Sequence, residues 1–123
     1  MTRTEFLTSN GFDCANWMWS WSFINHESKQ VAFAVWEDLV DPDGSHLILH
    51  DSWKLNQGDK PNLGYLQAIE HLNKALFEGY VLVTFDQEAI DTTAEVRKVK
   101  SFKATFDVRY LLRKSNGFYV VKA

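Results

Sequence analysis

The sequence predicts an α+β fold: a mostly antiparallel sheet of about five or six strands, one long helix packed on it, and a short N-terminal helix. Three observations predict it. Apolar residues recur at helical spacing over one long stretch, residues 63–78. Runs rich in β-branched and aromatic residues, such as Val31-Ala32-Phe33-Ala34-Val35-Trp36 and Tyr80-Val81-Leu82-Val83-Thr84-Phe85, read as strands. Turn signals separate these runs, Asp41-Pro42-Asp43-Gly44 being the strongest, with Pro fixing φ and Gly supplying φ > 0. At 123 residues, 46% hydrophobic and 24% charged, the chain is expected to fold as a single domain over residues 1–123.

Taken in order, Thr2 and Glu5 have the spacing of a capping box, which starts a short helix over residues 3–10 with Phe6 and Leu7 inward. Asn10-Gly11 stops it. Trp17, Trp19, Trp21 and Phe23 then alternate with Met18, Ser20 and Ser22, which predicts a strand over residues 17–25 with four aromatics on one face. Such a row can be a core wall or a stacking platform. The next strand is apolar on both faces and therefore central, which favours the wall, with at most one Trp reaching the surface. The short break at residues 26–30 predicts an antiparallel hairpin, with Val31, Phe33 and Val35 on one face and Ala32, Ala34 and Trp36 on the other. A third strand covers residues 46–50, and residues 51–61 read as a polar loop. Asn62 caps the long helix, whose stripe is Leu66, Ile69, Leu72 and Leu76, flanked by Leu63, Asn73 and Phe77. A buried strand follows over residues 80–85 and a polar loop over 86–93. Residues 102–112 read as one strand, with Ala104, Phe106, Val108, Tyr110 and Leu112 on one face. Ser115-Asn116-Gly117 turns the chain into a last strand, residues 118–121.

No apolar run approaches the roughly 18 residues of a membrane helix, so no membrane partner is expected. The N-terminus lacks the basic-then-apolar layout of a signal peptide. Cys14 is the single cysteine, which excludes an internal disulfide; a reducing, cytoplasmic setting is expected. Charge is lopsided. Residues 1–96 hold five Lys/Arg against fifteen Asp/Glu, and residues 97–123 hold eight against Asp107 alone. This predicts either a basic binding face or acidic and basic segments that neutralise each other in the fold.

Catalytic patterns are missing. His26, His46, His50 and His71 show no metal-binding spacing, and His46 and His50, four apart on a strand, would stand about 13 Å apart. There is no phosphate-binding glycine loop and no G-x-S-x-G nucleophile. Acid–base enzyme machinery is thus disfavoured, and no cofactor or metal is expected. Aromatics and a basic segment remain, and these suit nucleic acid, through base stacking and phosphate contact. Arg97, Lys98, Lys100 and Lys103, interleaved with Val96, Val99 and Phe102, are the candidate phosphate contacts. A Trp between polar loop residues, Trp53, is a second candidate for recognition.

The pattern Asn16-Trp17-x-Trp19-Ser20-Trp21-Ser22-Phe23-x-Asn25, the strand ending in Trp36, the segment Leu47-Ile48-Leu49-His50-Asp51-Ser52-Trp53, the Gly/Lys/Asn-rich loop, the helix from Asn62 with Tyr65, and the strand at 80–85 carry a resemblance. Over roughly residues 4–90 they resemble the N-terminal DNA-reading module of McrA-type, HNH-associated restriction proteins of bacteria, which reads modified cytosine. The resemblance implies a non-catalytic DNA-binding module, with Trp53 and Tyr65 at the aromatic positions of the loop–helix junction and Lys54, Lys60 and Asn62 beside them. The Cys/His-rich HNH nuclease domain of that family has no counterpart in this sequence, so cleavage is not carried over, and a separately encoded nuclease is the partner it suggests. Two other classes stay open: a protein-interaction or regulatory module with an acidic docking surface, and a small-ligand pocket under the Trp row.

Overall fold

The computed structural model describes residues 1–94 and 97–123. Among the described residues the chain is α+β, with two α-helices and a seven-stranded mixed sheet. Helix α1 covers Arg3–Ser9. Strands β1 (Ser22–Asn25), β2 (Gln30–Trp36) and β3 (His46–His50) follow, then a one-turn 3-10 helix (Asp51–Lys54) and helix α2 (Leu63–Phe77). Strands β4 (Val81–Ala89), β5 (Val99–Phe102), β6 (Asp107–Lys114) and β7 (Gly117–Lys122) complete it. The strand order is β1-β2-β4-β6-β7-β3, with β5 also on β4. No helix among the described residues is long and apolar enough to cross a membrane.

The sheet is less antiparallel than expected. β1 and β2 form the predicted antiparallel hairpin. β2 and β4, however, run parallel from Gln30↔Val81 to Trp36↔Gln87. A parallel neighbour needs a long crossover, and the chain between them supplies one through β3, the 3-10 helix and α2. Both strands are buried on both faces, as parallel strands usually are. On one face Val31, Phe33, Val35 and Leu82 pack with Ile48, Leu49, Val120 and the α2 residues Ala68 and Leu72. On the other, Ala32, Val83 and Phe85 pack with Phe6, Leu7, Phe12 and Phe23. The expected division of β2 therefore holds for Val31, Phe33 and Val35 on one face and Ala32 and Ala34 on the other.

α1 begins as its sequence dictates: the Thr2 hydroxyl accepts from Glu5 N–H at 3.1 Å, and Glu5 accepts from Thr2 N–H in return. The tryptophan row does not form a strand. Asn16 Oδ1 accepts from Met18 N–H at 2.8 Å and Asn16 O from Ser20 N–H at 3.0 Å, so the chain turns there and β1 starts only at Ser22. Asn side chains favour such turns over extended backbone. The row is split between faces: Trp17 stacks on Phe23 at 5.5 Å beside α1, and Trp21 packs against the α2 core.

Two further expectations are corrected. Residues 102–112 are not one strand. Phe102 and Phe106 both turn into the aromatic cluster around Phe6 and Phe85, with Phe106 stacked on Phe6 at 4.6 Å, and this breaks the chain between β5 and β6. Alternation survives in β6 with its faces reversed: Val108 and Tyr110 are 54% and 64% exposed, while Arg109 is buried. The buried face of α2 is Gly64, Gln67, Ala68, His71 and Leu72, and Leu63, Leu66, Leu76 and Phe77 are exposed. Asn62 occupies the cap position without a side-chain cap hydrogen bond. The inward stripe still has helical spacing, but small and polar residues occupy it, because Trp21 lies against the helix. A Cβ on Gly64 would stand 2.6 Å from Trp21 Cε2 and 2.9 Å from Trp19 O.

Gly64→Ala should therefore push Trp21 aside despite its higher helix propensity. Urea unfolding followed by tryptophan fluorescence is expected to show a loss of about 1–3 kcal/mol, the usual range for an overpacked site. A stabilised variant with unchanged emission would contradict this packing.

Candidate functional site

The loop–helix junction is built by local hydrogen bonds. Residues 51–54 form the 3-10 helix where a plain loop was expected; His50 Nδ1 accepts from Ser52 N–H at 3.0 Å at its start. Asn56 Oδ1 accepts from Gly58 and Lys60 N–H at 2.9 and 3.1 Å, Asn56 N–H donates to Lys60 O at 2.9 Å, and Leu55 bridges to Pro61. The loop is thereby closed on itself, and Asn62 N–H ties it to Lys54 O at 2.9 Å. Trp53 is half-buried, edge-on to Trp21 at 6.0 Å and tilted against His50 at 6.1 Å. Tyr65, on the first turn of α2, is half-buried against the same core. Lys54 and Lys60 are exposed, and neither has a carboxylate partner among the described residues. Trp53, Lys54, Lys60, Asn62 and Tyr65 thus lie together on one small unit.

Beside it, Arg113 makes a two-pronged contact to Asp51, 2.9 Å on each oxygen, and lies over Phe118 at 4.6 Å. That contact raises the Arg113 pKa and holds the Asp51 carboxyl below its usual range.

The basic strand stands apart from this unit. β5 pairs with the C-terminal end of β4, at Gln87–Ala89, whereas β6 runs antiparallel from Thr84↔Asp107 and carries Arg113 toward the other end. Arg97 grips Asp38 through both nitrogens at 2.6 and 2.8 Å, donates to Thr92 O, and lies over Trp36 at 5.3 Å. The pair pushes the Asp38 pKa down and the Arg97 pKa up. Lys100 lies 3.6 Å from Glu88 and Lys103 4.0 Å from Glu37, both exposed and weak. Lys98 is exposed, with no carboxylate partner among the described residues. Glu95 and Val96, the start of the predicted alternation, lie outside those residues. With Lys114 held by Asp41 and Asp43 at 2.8 and 2.9 Å, the charge asymmetry resolves largely into ion pairs between the C-terminal segment and earlier acidic residues.

A cleft of about 440 Å³ opens between the Trp19 turn and α2, lined by Asp13, Cys14, Trp19, Leu66, Gln67 and His71 among others. Gln67 Oε1 accepts from Ala15 N–H at 2.7 Å, and its buried Nε2 has no partner among the described residues. His71 Nδ1 and Ser22 Oγ are hydrogen-bonded at 2.6 Å, and burial lowers the His71 pKa to about 4. Burial raises the Cys14 thiol pKa, which works against a reactive thiolate. Among the described residues, no group of three or more His, Cys, Asp or Glu could hold a metal ion. The sequence reading missed Gln67 and His71 because polar residues on a helix signal its outer face; only their spacing with Ala68 and Leu72 betrays the inner one.

His71 sets an acid limit. The folded state keeps it neutral down to about pH 4, while the unfolded chain protonates near 6.5. Stability should hold above pH 6.5 and fall between 6.5 and 4, by a total on the order of 3 kcal/mol. Urea midpoints of wild type and His71→Gln across that window check it: the variant should lose the steep part of the decline.

Neither a family model, nor a curated protein, nor a solved structure matches this chain.

Proposed function

We propose that this chain is a non-catalytic nucleic-acid-binding module that meets duplex DNA at the loop–helix junction. The observation that carries the reading is the contrast in cations. Arg97, Lys100, Lys103, Arg113 and Lys114 face carboxylates within 4.0 Å, whereas Lys54 and Lys60 stand exposed, with no carboxylate partner among the described residues, on a closed loop beside Trp53 and Tyr65. Exposed lysines contact phosphates, and half-buried aromatics offer an edge or face to a base. The similarity of residues 4–90 to McrA-type reading modules supports modified cytosine as the base read, and a separately encoded nuclease as the effector. In this reading Arg97 serves the fold through Asp38, and the exposed Lys98, Lys100 and Lys103 remain available for phosphate.

A second reading, a protein-interaction module, is favoured by a different observation. Leu63, Leu66, Leu76 and Phe77 of α2 are 54%, 44%, 50% and 79% exposed, and Met18 is 96% exposed. Exposed apolar side chains at both ends of one helix favour a protein interface.

Anisotropy titrations of a labelled duplex, methylated and unmethylated, separate the two. At low salt the wild type should bind, with affinity falling steeply as salt rises. Lys54→Glu/Lys60→Glu should weaken binding about tenfold or more, while Arg97→Glu should lower stability more than affinity. No shift with either duplex at low salt would leave the protein-interaction reading standing.

A further inference from the structure

A second cavity, of about 800 Å³, opens beside strands β3, β4, β6 and β7. Asp86 of β4, Asp107 and Arg109 of β6, Lys122 of β7, His46 of β3 and the turn at Asp43 line it. It shares no residue with the loop–helix junction.

Two groups in its lining are incompletely bonded. Arg109 is only 8% exposed. Its Nε–H donates to Thr84 Oγ1 at 2.9 Å, and Thr84 is itself fully buried. One Nη approaches Asp107 at 3.9 Å, too far for a hydrogen bond. The other guanidinium donors have no hydrogen-bond partner among the described residues, and Asp86 forms no ion pair with them. His46 Nδ1 is buried and likewise unpartnered. Folded proteins normally pair a buried cation and satisfy its donors, since an unmatched one is costly. Here Thr84 holds the guanidinium through Nε, and its unbonded Nη donors are open to the cavity.

We propose that this cavity binds a small ligand through an oxyanion, phosphate or carboxylate, seated on the unbonded side of the Arg109 guanidinium, beside His46 in the same lining. A planar guanidinium matches two oxygens of either group at once. The remaining lining limits the ligand. Asp86 and Asp107 repel a run of charges, and Lys122 adds a single cation, so a polyphosphate or nucleic-acid backbone is disfavoured. A compact molecule with one anionic group, and an amino or hydroxyl donor for Asp86, fits both the charge and the volume. The proposal goes beyond DNA binding and does not depend on it.

The test uses the full chain and NMR. Sodium phosphate and sodium acetate are titrated separately, against sodium chloride at matched ionic strength. At least one oxyanion should give saturable shifts at the His46 ring and the Arg109 Nε–H, absent with chloride; the arm that saturates first names the class. The His46 pKa, which burial and the Arg109 charge hold down against the pull of Asp86, should rise in the saturated sample. Arg109→Lys should weaken binding by about tenfold or more, because an ammonium cannot reproduce the two-pronged geometry. If that variant does not fold, Lys122→Ala at the exposed rim should weaken the same titration. Absence of saturable shifts in both oxyanion arms overturns the proposal, as does wild-type affinity in a folded Arg109→Lys protein.

Discussion

The parallel pairing of β2 with β4 is the constraint on which the rest of the structure depends. Two adjacent strands with apolar residues on both faces demand cover on both faces. The chain meets that demand asymmetrically. A short helix and a cluster of phenylalanines cover one side; a long helix and the apolar residues of β3 and β7 cover the other. Everything near the pair is then divided between two layers, including the tryptophans, which serve one layer at Trp17 and the other at Trp21. The same division explains why α2 turns small and polar residues inward. Gly64 and Ala68 admit Trp21 and β1, and Gln67 and His71 find partners in Ala15 and Ser22.

Charge plays a different part from the one its distribution first suggests. The basic C-terminal segment lies against the acidic stretches around Asp38, Asp41–Asp43 and Asp51. Exposed pairs of this kind contribute about 0–1 kcal/mol each. The two-pronged contacts of Arg97 and Arg113 also fix orientation, since a planar guanidinium tolerates few alternative poses. Among the described residues, Lys54 and Lys60 stand without a carboxylate on a closed loop, as Lys29, Lys98 and Lys122 do elsewhere, and Arg109 keeps unbonded guanidinium donors with Asp107 at 3.9 Å.

Much of the architecture was legible in the sequence. The capping box at Thr2 and Glu5, the β1–β2 hairpin, the turn at Gly44, the span of α2 and the positions of β3 and β7 follow from local patterns, which need no knowledge of the rest of the chain. The failures share a cause. Period-two alternation shows that Val108, Tyr110 and Leu112 share a face, but not that this face is outward. Helical periodicity finds a stripe in α2, but the choice between the leucines and Gly64, Gln67, Ala68, His71 is made by Trp21, which is distant in sequence. The break between β5 and β6 is decided by Phe6 and Phe85 drawing in Phe102 and Phe106. For the site, Trp53, Lys54, Lys60, Asn62 and Tyr65 are close in sequence and the fold keeps them together. Arg109 carried no local signal, because its burial depends on Thr84 and on a strand reversal that no window of the sequence contains.

The place of β3 in the sheet has a consequence for biosynthesis. Its hydrogen-bonded strand neighbour is β7, the last strand of the chain. While the polypeptide is being made, β1, β2, α2 and β4 can all find their partners before β3 can. Leu47, Ile48 and Leu49 must wait with an open edge until the final hairpin arrives, and an unpaired apolar edge is where nascent chains associate with one another. The tight loop after β3, and the Asp51 that later receives Arg113, keep that waiting segment short and charged at its end.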